Sequence, residues 1–179
     1  GNILPYKGLE QLLEAVSKLN YRHSNFELII AGRCENWETL YEPLIQNKNR
    51  VTRIIRHINN DEICGIFSNC HYLVLPYRDA TQSGPLMLAY NYHLPVIASN
   101  IPAFQEVIEN DTSGYLYDRN MPNDLELTLE AAILRSKLEY ELLVNRLDNF
   151  VSKTFSIPDN TKKYQIMFSE LGASKSERL

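Results

Sequence analysis

Cysteine is scarce in this chain. Cys34, Cys64 and Cys70 are three, an odd number without a C-x-x-C pair, and that pattern opposes both a disulfide framework and a structural zinc site. A reducing compartment, and hence a cytoplasmic location, is the expectation. Long apolar runs are missing as well, for none approaches the ~20 residues that span a bilayer. The opening Gly1-Asn2 lacks the basic and then apolar pattern of a secretion signal. Positive charge is not in excess either: 18 Lys and Arg face 22 Asp and Glu, a net charge of -4. Nucleic acid or a membrane surface held by bulk charge is therefore not expected, and any anion must be bound locally. There is no initiator Met, and the abrupt opening suggests a piece of a longer protein.

What is present suits one globular domain. The 179 residues are 44% hydrophobic and 22% charged, far from the signature of disorder. A domain of this size buries roughly 70% of the surface its unfolded chain exposes, so neither disulfide nor metal is needed for folding. No repeat or low-complexity tract interrupts the chain. The one weak boundary is near Phe155 to Asp159, where Pro158 breaks a helical pattern before a terminal helix. The expected organisation is a domain over residues 1–171 and a polar tail over 172–179.

Leu9, Leu12, Leu13, Val16 and Leu19 recur at spacings of three and four and predict one apolar face of a helix starting near Gly8. Phe26 to Ala31 is a short apolar run closed by Gly32, as in a strand buried on both faces. A helix over Asn36 to Gln46, a strand over Val51 to Ile58 and a helix over Asp61 to Phe67 follow. His71 to Pro76 predicts a strand, Pro85 to Tyr92 a helix with proline in its first turn, and Pro95 to Ala98 a strand. Pro102 to Ile108 suits a helical turn, Ser113 to Tyr117 an extended segment, and the chain from Asn123 onward is mainly helical. This alternation predicts an α/β fold: a doubly wound, Rossmann-like parallel sheet with right-handed crossovers and helices on both faces.

In such sheets ligands bind beyond the carboxyl ends of the strands, which directs attention to four loops: Pro5 to Gly8, Gly32 to Cys34, the stretch after Ile58, and Tyr77 to Gly84. Lys7 stands just before a helix, where a cation is electrostatically misplaced unless an anion lies between it and the helix. Gly8 would let that anion approach the backbone. The plainer reading of Lys7 is a solvated surface lysine. Thr81, Ser83 and the amides up to Gly84 converge at the start of the next helix and could cradle a phosphate. The plainer reading there is a helix N-cap. Two such helix starts at one end of a sheet together suit a diphosphate.

The order of segments resembles the C-terminal, donor-binding domain of retaining glycosyltransferases of the two-Rossmann-domain, or GT-B, type, the glycosyl transferases group 1. The likeness runs through G-N-I-L-P-Y-K-G-L-E-Q-L-L-E-A from Gly1, F-E-L-I-I-A-G from Phe26 and L-V-L-P-Y from Leu73. It continues through L-P-V-I-A-S from Leu94, E-V-I from Glu106 and N-D-T-S-G-Y-L from Asn110. What it implies is sugar transfer from a nucleotide diphosphate sugar to an acceptor in glycan or polysaccharide biosynthesis, with Lys7 on the diphosphate. An arginine common in the family is replaced by Asn2, so one of two diphosphate cations is absent. The family's E-x7-E stretch falls on Ala80 to Leu88, so both glutamates are absent too. Neither replacement offers a hydrogen bond to sugar or ribose.

Arg78 to Gly84 resembles a T-Q-S-G variant of that loop. The resemblance gives Thr81, Gln82, Ser83 and Gly84 the contacts to phosphate and sugar, and makes Asp79 a candidate beside Lys7 at the reacting end. It puts Ile58, with His57, and Arg33 beside the nucleotide base, with Asn2, Gly8 and Leu88 completing the candidate donor site. Glu106 matches a recurrent family acid. No metal and no cofactor apart from the donor substrate are expected. The implied partners are the nucleotide-sugar donor and an N-terminal acceptor-binding domain, with peripheral membrane association of a full-length enzyme as a further expectation. The chain alone should then bind donor weakly and transfer little sugar. Loss of both glutamates favours a second reading, a non-catalytic nucleotide- or protein-binding module. A third, an unrelated doubly wound domain, lacks both an acidic cluster after the first strand and a complete G-x-G-x-x-G. His23, His57, His71 and His93 show no metal-ligand spacing, and Trp37 reads as a packing residue.

Overall fold

The structure, a computed structural model, describes residues 1–155. The terminal helix expected past Pro158 and the tail at 172–179 lie outside the described residues, and the boundary read near Phe155 to Asp159 reaches beyond them. Five strands alternate with helices: β1 (Leu28–Ala31), β2 (Val51–Ile54), β3 (Leu73–Leu75), β4 (Val96–Ser99) and β5 (Gly114–Tyr117). The helices are α1 (Leu9–Arg22), α2 (Trp37–Leu40), α3 (Asn60–Phe67), α4 (Gly84–Asn91), α5 (Pro102–Gln105), α6 (Asp124–Leu134) and α7 (Lys137–Thr154). Every strand pairing is parallel, as expected of a Rossmann-like α/β fold. The strands form two hydrogen-bonded groups, β1 with β2 and β3-β4-β5.

Side-chain alternation in β4 divides the core. Ile97 packs with Leu9, Leu12 and Leu13 of α1 and Leu125 and Leu129 of α6 on one face. Its neighbours Val96 and Ala98 pack with Leu86 and Tyr90 of α4, Phe104 of α5 and Leu147 of α7 on the other. Helices thus cover both faces. The apolar stripe on α1 is buried at Leu9, Leu12, Leu13, Val16 and Leu19. At about 1.5 to 3 kcal/mol per buried side chain it supplies on the order of 10 kcal/mol of gross burial energy.

Two expectations fail locally. The helix over Asn36 to Gln46 is instead the short α2 followed by a 3-10 turn at Glu42–Leu44. Pro43 lacks the amide an uninterrupted helix would use, and its ring crowds the preceding turn. The strand from Val51 ends at Ile54 rather than Ile58, because Arg56 turns back to donate its amide to the Ile54 carbonyl. The Arg56 side chain then binds the Glu62 carboxylate, which closes a capping box with Asn59 at the start of α3. That guanidinium bond holds the Glu62 carboxyl down at about 2. β1 is less enclosed than its sequence suggests, with Ile30 as its one fully buried residue. Among the described residues no helix is long and apolar enough to cross a membrane.

Candidate functional site

The turn that holds Lys7 packs against the exit of β3, from which the loop to Ser83 departs. Pro5–Lys7 forms one 3-10 turn, and Gly8, with φ 63°, turns the chain into α1. A Cβ on Gly8 would lie 2.1 Å from the Pro76 carbonyl oxygen, so only glycine lets the turn sit against the exit of β3. The Arg78 amide donates to the Tyr6 carbonyl at 2.7 Å and locks the two loops together. Lys7 Nζ stands 5.6 Å from the centre of the Tyr77 ring, within the range of a cation–π contact. Burial first, and then neighbouring Tyr6, push the Tyr77 hydroxyl up to about 12. Tyr77 thus lies beneath the lysine at the start of the loop that leads to α4.

The two entrances differ in chemistry. Ser83 caps α4 by accepting the Leu86 amide at 3.3 Å, which bears out the plainer reading of this residue. Pro85 fills the first turn, where its missing amide costs nothing. Gly8 gives α1 no side-chain cap. Lys7 is half-buried, and burial lowers its pKa from the ordinary lysine value. Among the described residues it has no carboxylate within 4.0 Å. A partly desolvated ammonium thus stands beside an uncapped helix entrance, an arrangement that favours an anion.

Around this centre the remaining candidates separate into near and far. Thr81, Gln82, Gly84 and Asp79 are exposed on the loop entering α4, and Ala80 is half-buried there. Leu88 and Ile58 both line the same cavity as Lys7 and Tyr77. Asn2 is exposed, and Ile3 beside it donates its amide to the Arg33 carbonyl at 2.8 Å. The Arg33 side chain turns to Glu35 at 3.3 Å. His57 and Glu106 are exposed. Trp37 is buried and donates to Glu42 at 2.8 Å, a packing role. His23 pairs with Glu130 at 2.6 Å and His93 with Asp148. No cluster of three or more His, Cys, Asp or Glu suited to a metal occurs among the described residues.

The structure adds residues that the sequence reading passed over. Arg78 forms an ion pair with Glu10 in the first turn of α1, and its carbonyl accepts from Arg119. Ser99, fully buried in β4, donates its hydroxyl to the Tyr77 carbonyl and fixes where β3 ends. The signal for Arg119 was available: it follows β5, and loops after parallel strands are where ligands gather. Glu10 and Ser99 carry no such signal, since their partners are far away in sequence.

A parallel, helix-covered sheet whose candidate residues cluster at the strands' carboxyl ends is the Rossmann-like arrangement of the C-terminal domain of GT-B glycosyltransferases. The solved C-terminal domain of a glycosyl transferase group 1 family protein from Francisella tularensis is similar to it, with a TM-score of 0.74 at 20% identity over 88% of this chain and 84% of that one. Residues 1–145 match the family of glycosyl transferases group 1, and the chain belongs to that family. An uncharacterized glycosyltransferase of Methanocaldococcus jannaschii is 25% identical over 156 residues, 87% of this chain and 42% of that protein. A GDP-mannose:glycolipid 4-beta-D-mannosyltransferase of Xanthomonas campestris pv. campestris is 28% identical over 117 residues, 65% of this chain and 34% of that protein. The chain thus spans less than half the length of these relatives.

Proposed function

We propose that the chain is the donor-binding half of a retaining glycosyltransferase of the T-Q-S-G subset, and that it holds the diphosphate of a nucleotide sugar between Lys7 and the entrance of α4. The observation that carries this reading is the half-buried Lys7 without a carboxylate partner among the described residues, held against Tyr77 and locked to the loop that enters α4 by the Arg78 amide on the Tyr6 carbonyl. In sugar transfer the leaving diphosphate gains negative charge as the bond to the anomeric carbon breaks. A preplaced ammonium and helix amides stabilise that developing charge without reorganising, usually the largest catalytic term. Arg78 is committed to Glu10 and does not replace the arginine that the family has at Asn2, so Lys7 bears most of the charge compensation. Thr81, Gln82 and Ser83 hydrogen-bond the phosphates and the sugar, and Asp79 accepts from a sugar hydroxyl. Ile58, Leu88 and Arg33 flank the nucleoside, with Asn2 and Gly8 lining the approach.

Retention of configuration follows from the resemblance, with front-face attack assisted by the leaving phosphate. The acceptor site belongs to an N-terminal domain, and without it the chain binds donor weakly and transfers little sugar. The name of the Xanthomonas relative makes GDP the first nucleotide to try, with UDP and ADP as comparators. Thermal shift is the direct test, since a ligand at 100 times its Kd stabilises by about 2.7 kcal/mol. A Thr81→Ala, Ser83→Ala double variant should weaken the responding nucleotide by about tenfold, the effect of losing one or two hydrogen bonds to a charged group. Unchanged affinity removes the phosphate cradle.

A second reading is favoured by one feature, the apolar residues Ala80 and Leu88 where the family has glutamates. On that reading the chain is a binding module without transfer chemistry. A chain joined to its acceptor-binding domain that binds the nucleotide yet neither transfers nor hydrolyses the sugar would establish it.

A further inference from the structure

The loop from β3 to α4 has two parts of opposite character. Among the described residues none donates a hydrogen bond to its tip, Asp79 to Gln82, or accepts one from it. The root of the loop, Tyr77 and Arg78, is fastened on all sides. The Tyr77 carbonyl accepts from the buried Ser99 hydroxyl, the Arg78 amide donates to the Tyr6 carbonyl at 2.7 Å, and the Arg78 carbonyl accepts from Arg119.

Arg78 alone gathers three separate segments. Its amide holds the turn before α1, its carbonyl holds the segment after β5, and its side chain binds Glu10 in the first turn of α1. On the way its stem passes 3.8 Å from the place a Cβ on Gly8 would occupy. Glu10 lies 68 positions away in sequence and Arg119 lies 41 away, so this node exists only in the folded chain. The paired Arg78 and Glu10 side chains remain 46% and 32% exposed, and an ion pair so open to water contributes little to overall stability. Breaking it therefore leaves the core intact while releasing the loop.

We infer that Arg78 is a positioning residue for the donor: the Glu10–Arg78 pair, with Arg119 on the Arg78 carbonyl, holds the T-Q-S-G loop against the α1 entrance before a nucleotide sugar arrives. The inference rests on the donor-binding reading. The tip supplies the contacts, for its polar groups are unspent, and the root supplies the position. A loop whose root is fixed beforehand loses less conformational freedom when a ligand binds its tip. The Arg78 guanidinium is itself taken up by Glu10, so its part is played through the residues that follow it. A long arm ending in a planar fork of donors suits a carboxylate reached across the Gly8 turn.

The test combines calorimetry, with whichever of GDP, UDP and ADP the 179-residue chain binds, and hydrogen exchange without nucleotide. A Glu10→Gln, Arg78→Met double variant removes the pair and conserves net charge, so bulk attraction for an anion is unchanged. It should weaken the nucleotide by about tenfold, the order of effect of leaving a loop to be ordered on binding. Protection of the amide at position 78 should fall at least about tenfold, with that of Ile97 unchanged. The reversed pair, Glu10→Arg with Arg78→Glu, should bring affinity back to within about threefold of the parent, because coupled residues compensate each other, and Arg78→Lys should keep most of it. Three results overturn the inference. One is affinity and position-78 protection that do not respond to removal of the pair. Another is a reversed pair as weak as the pairless variant while Arg78→Lys binds like the parent, which puts the cation itself on the nucleotide. The third is an equal loss of protection at position 78 and at Ile97, which reduces the pair to a general contribution to stability. A parent chain that binds none of the three nucleotides overturns the donor reading instead. The loop's positioning is then upheld by protection lost in the double variant and regained in the reversed pair, and overturned by protection that does not move.

Discussion

At the entrance of α1 the cap is Gly8, which has no side chain to offer the first-turn amides, whereas at the entrance of α4 it is Ser83, whose hydroxyl already accepts the Leu86 amide. Both entrances lie at the carboxyl end of the parallel strands, the first packed against Pro76 and Tyr77 and the second a few residues past Tyr77 in the chain. The α4 entrance is largely satisfied by its own chain. The α1 entrance combines an uncapped helix start with a half-buried lysine that no described carboxylate neutralises. On the proposed reading an anion contributes most at Lys7 and Gly8, because that entrance is the less satisfied of the two.

The strongest way to break the contrast is Gly8→Ala. The left-handed backbone at φ 63° and the 2.1 Å approach to the Pro76 oxygen leave no room for a methyl group. Left-handed backbone alone costs about 1 to 2 kcal/mol, so urea unfolding should show a loss above about 2 kcal/mol together with loss of nucleotide binding. Lys7→Met comes next. Loss of a charged hydrogen bond of about 1.5 to 3 kcal/mol should weaken GDP roughly 10- to 100-fold by calorimetry, with stability unchanged or slightly raised because a partly desolvated charge is gone. Ser83→Ala should lower stability by about 1 kcal/mol, the usual value of an N-cap, and affect GDP less than Lys7→Met does. A larger affinity loss at Ser83 than at Lys7 would invert the comparison.

The smallest effect is on pH dependence, and its sign is distinctive. Burial lowers the Lys7 pKa below its ordinary 10.5, so between the two values the unfolded chain binds the extra proton. Stability therefore rises with pH across that window as the desolvated charge is released. Affinity for a diphosphate falls across the same window, because the ammonium is lost. Thermal melts with and without GDP on the alkaline side should converge as the pH rises, and Lys7→Arg should keep them apart.

Much of the fold was legible because local rules and tertiary packing agree. The spacing of Leu9 to Leu19 marks the buried face of α1, and the short apolar runs at β1, β3 and β4 sit where strands form. Pro43 misled because one residue outweighed the surrounding helical composition. Val51 to Ile58 misled because apolar character continues past Ile54, while the chain turns there to bring Arg56 onto Glu62. Within the candidate site, Lys7 and the Thr81 to Gly84 loop were visible from their places after strands. Tyr77 beneath Lys7 was not, since its ring is placed by Tyr6, Phe104 and the bond from Ser99 to its carbonyl.

The order of amino acids by itself determined the alternation of strands and helices, the apolar faces, and a glycine and a serine at two helix starts, because these depend on neighbours within one or two turns. Only the tertiary structure decided that Arg78 is held by Glu10 and that Lys7 lies over Tyr77. Those outcomes depend on which distant segments the packed core brings within a few ångströms, and no local periodicity encodes that.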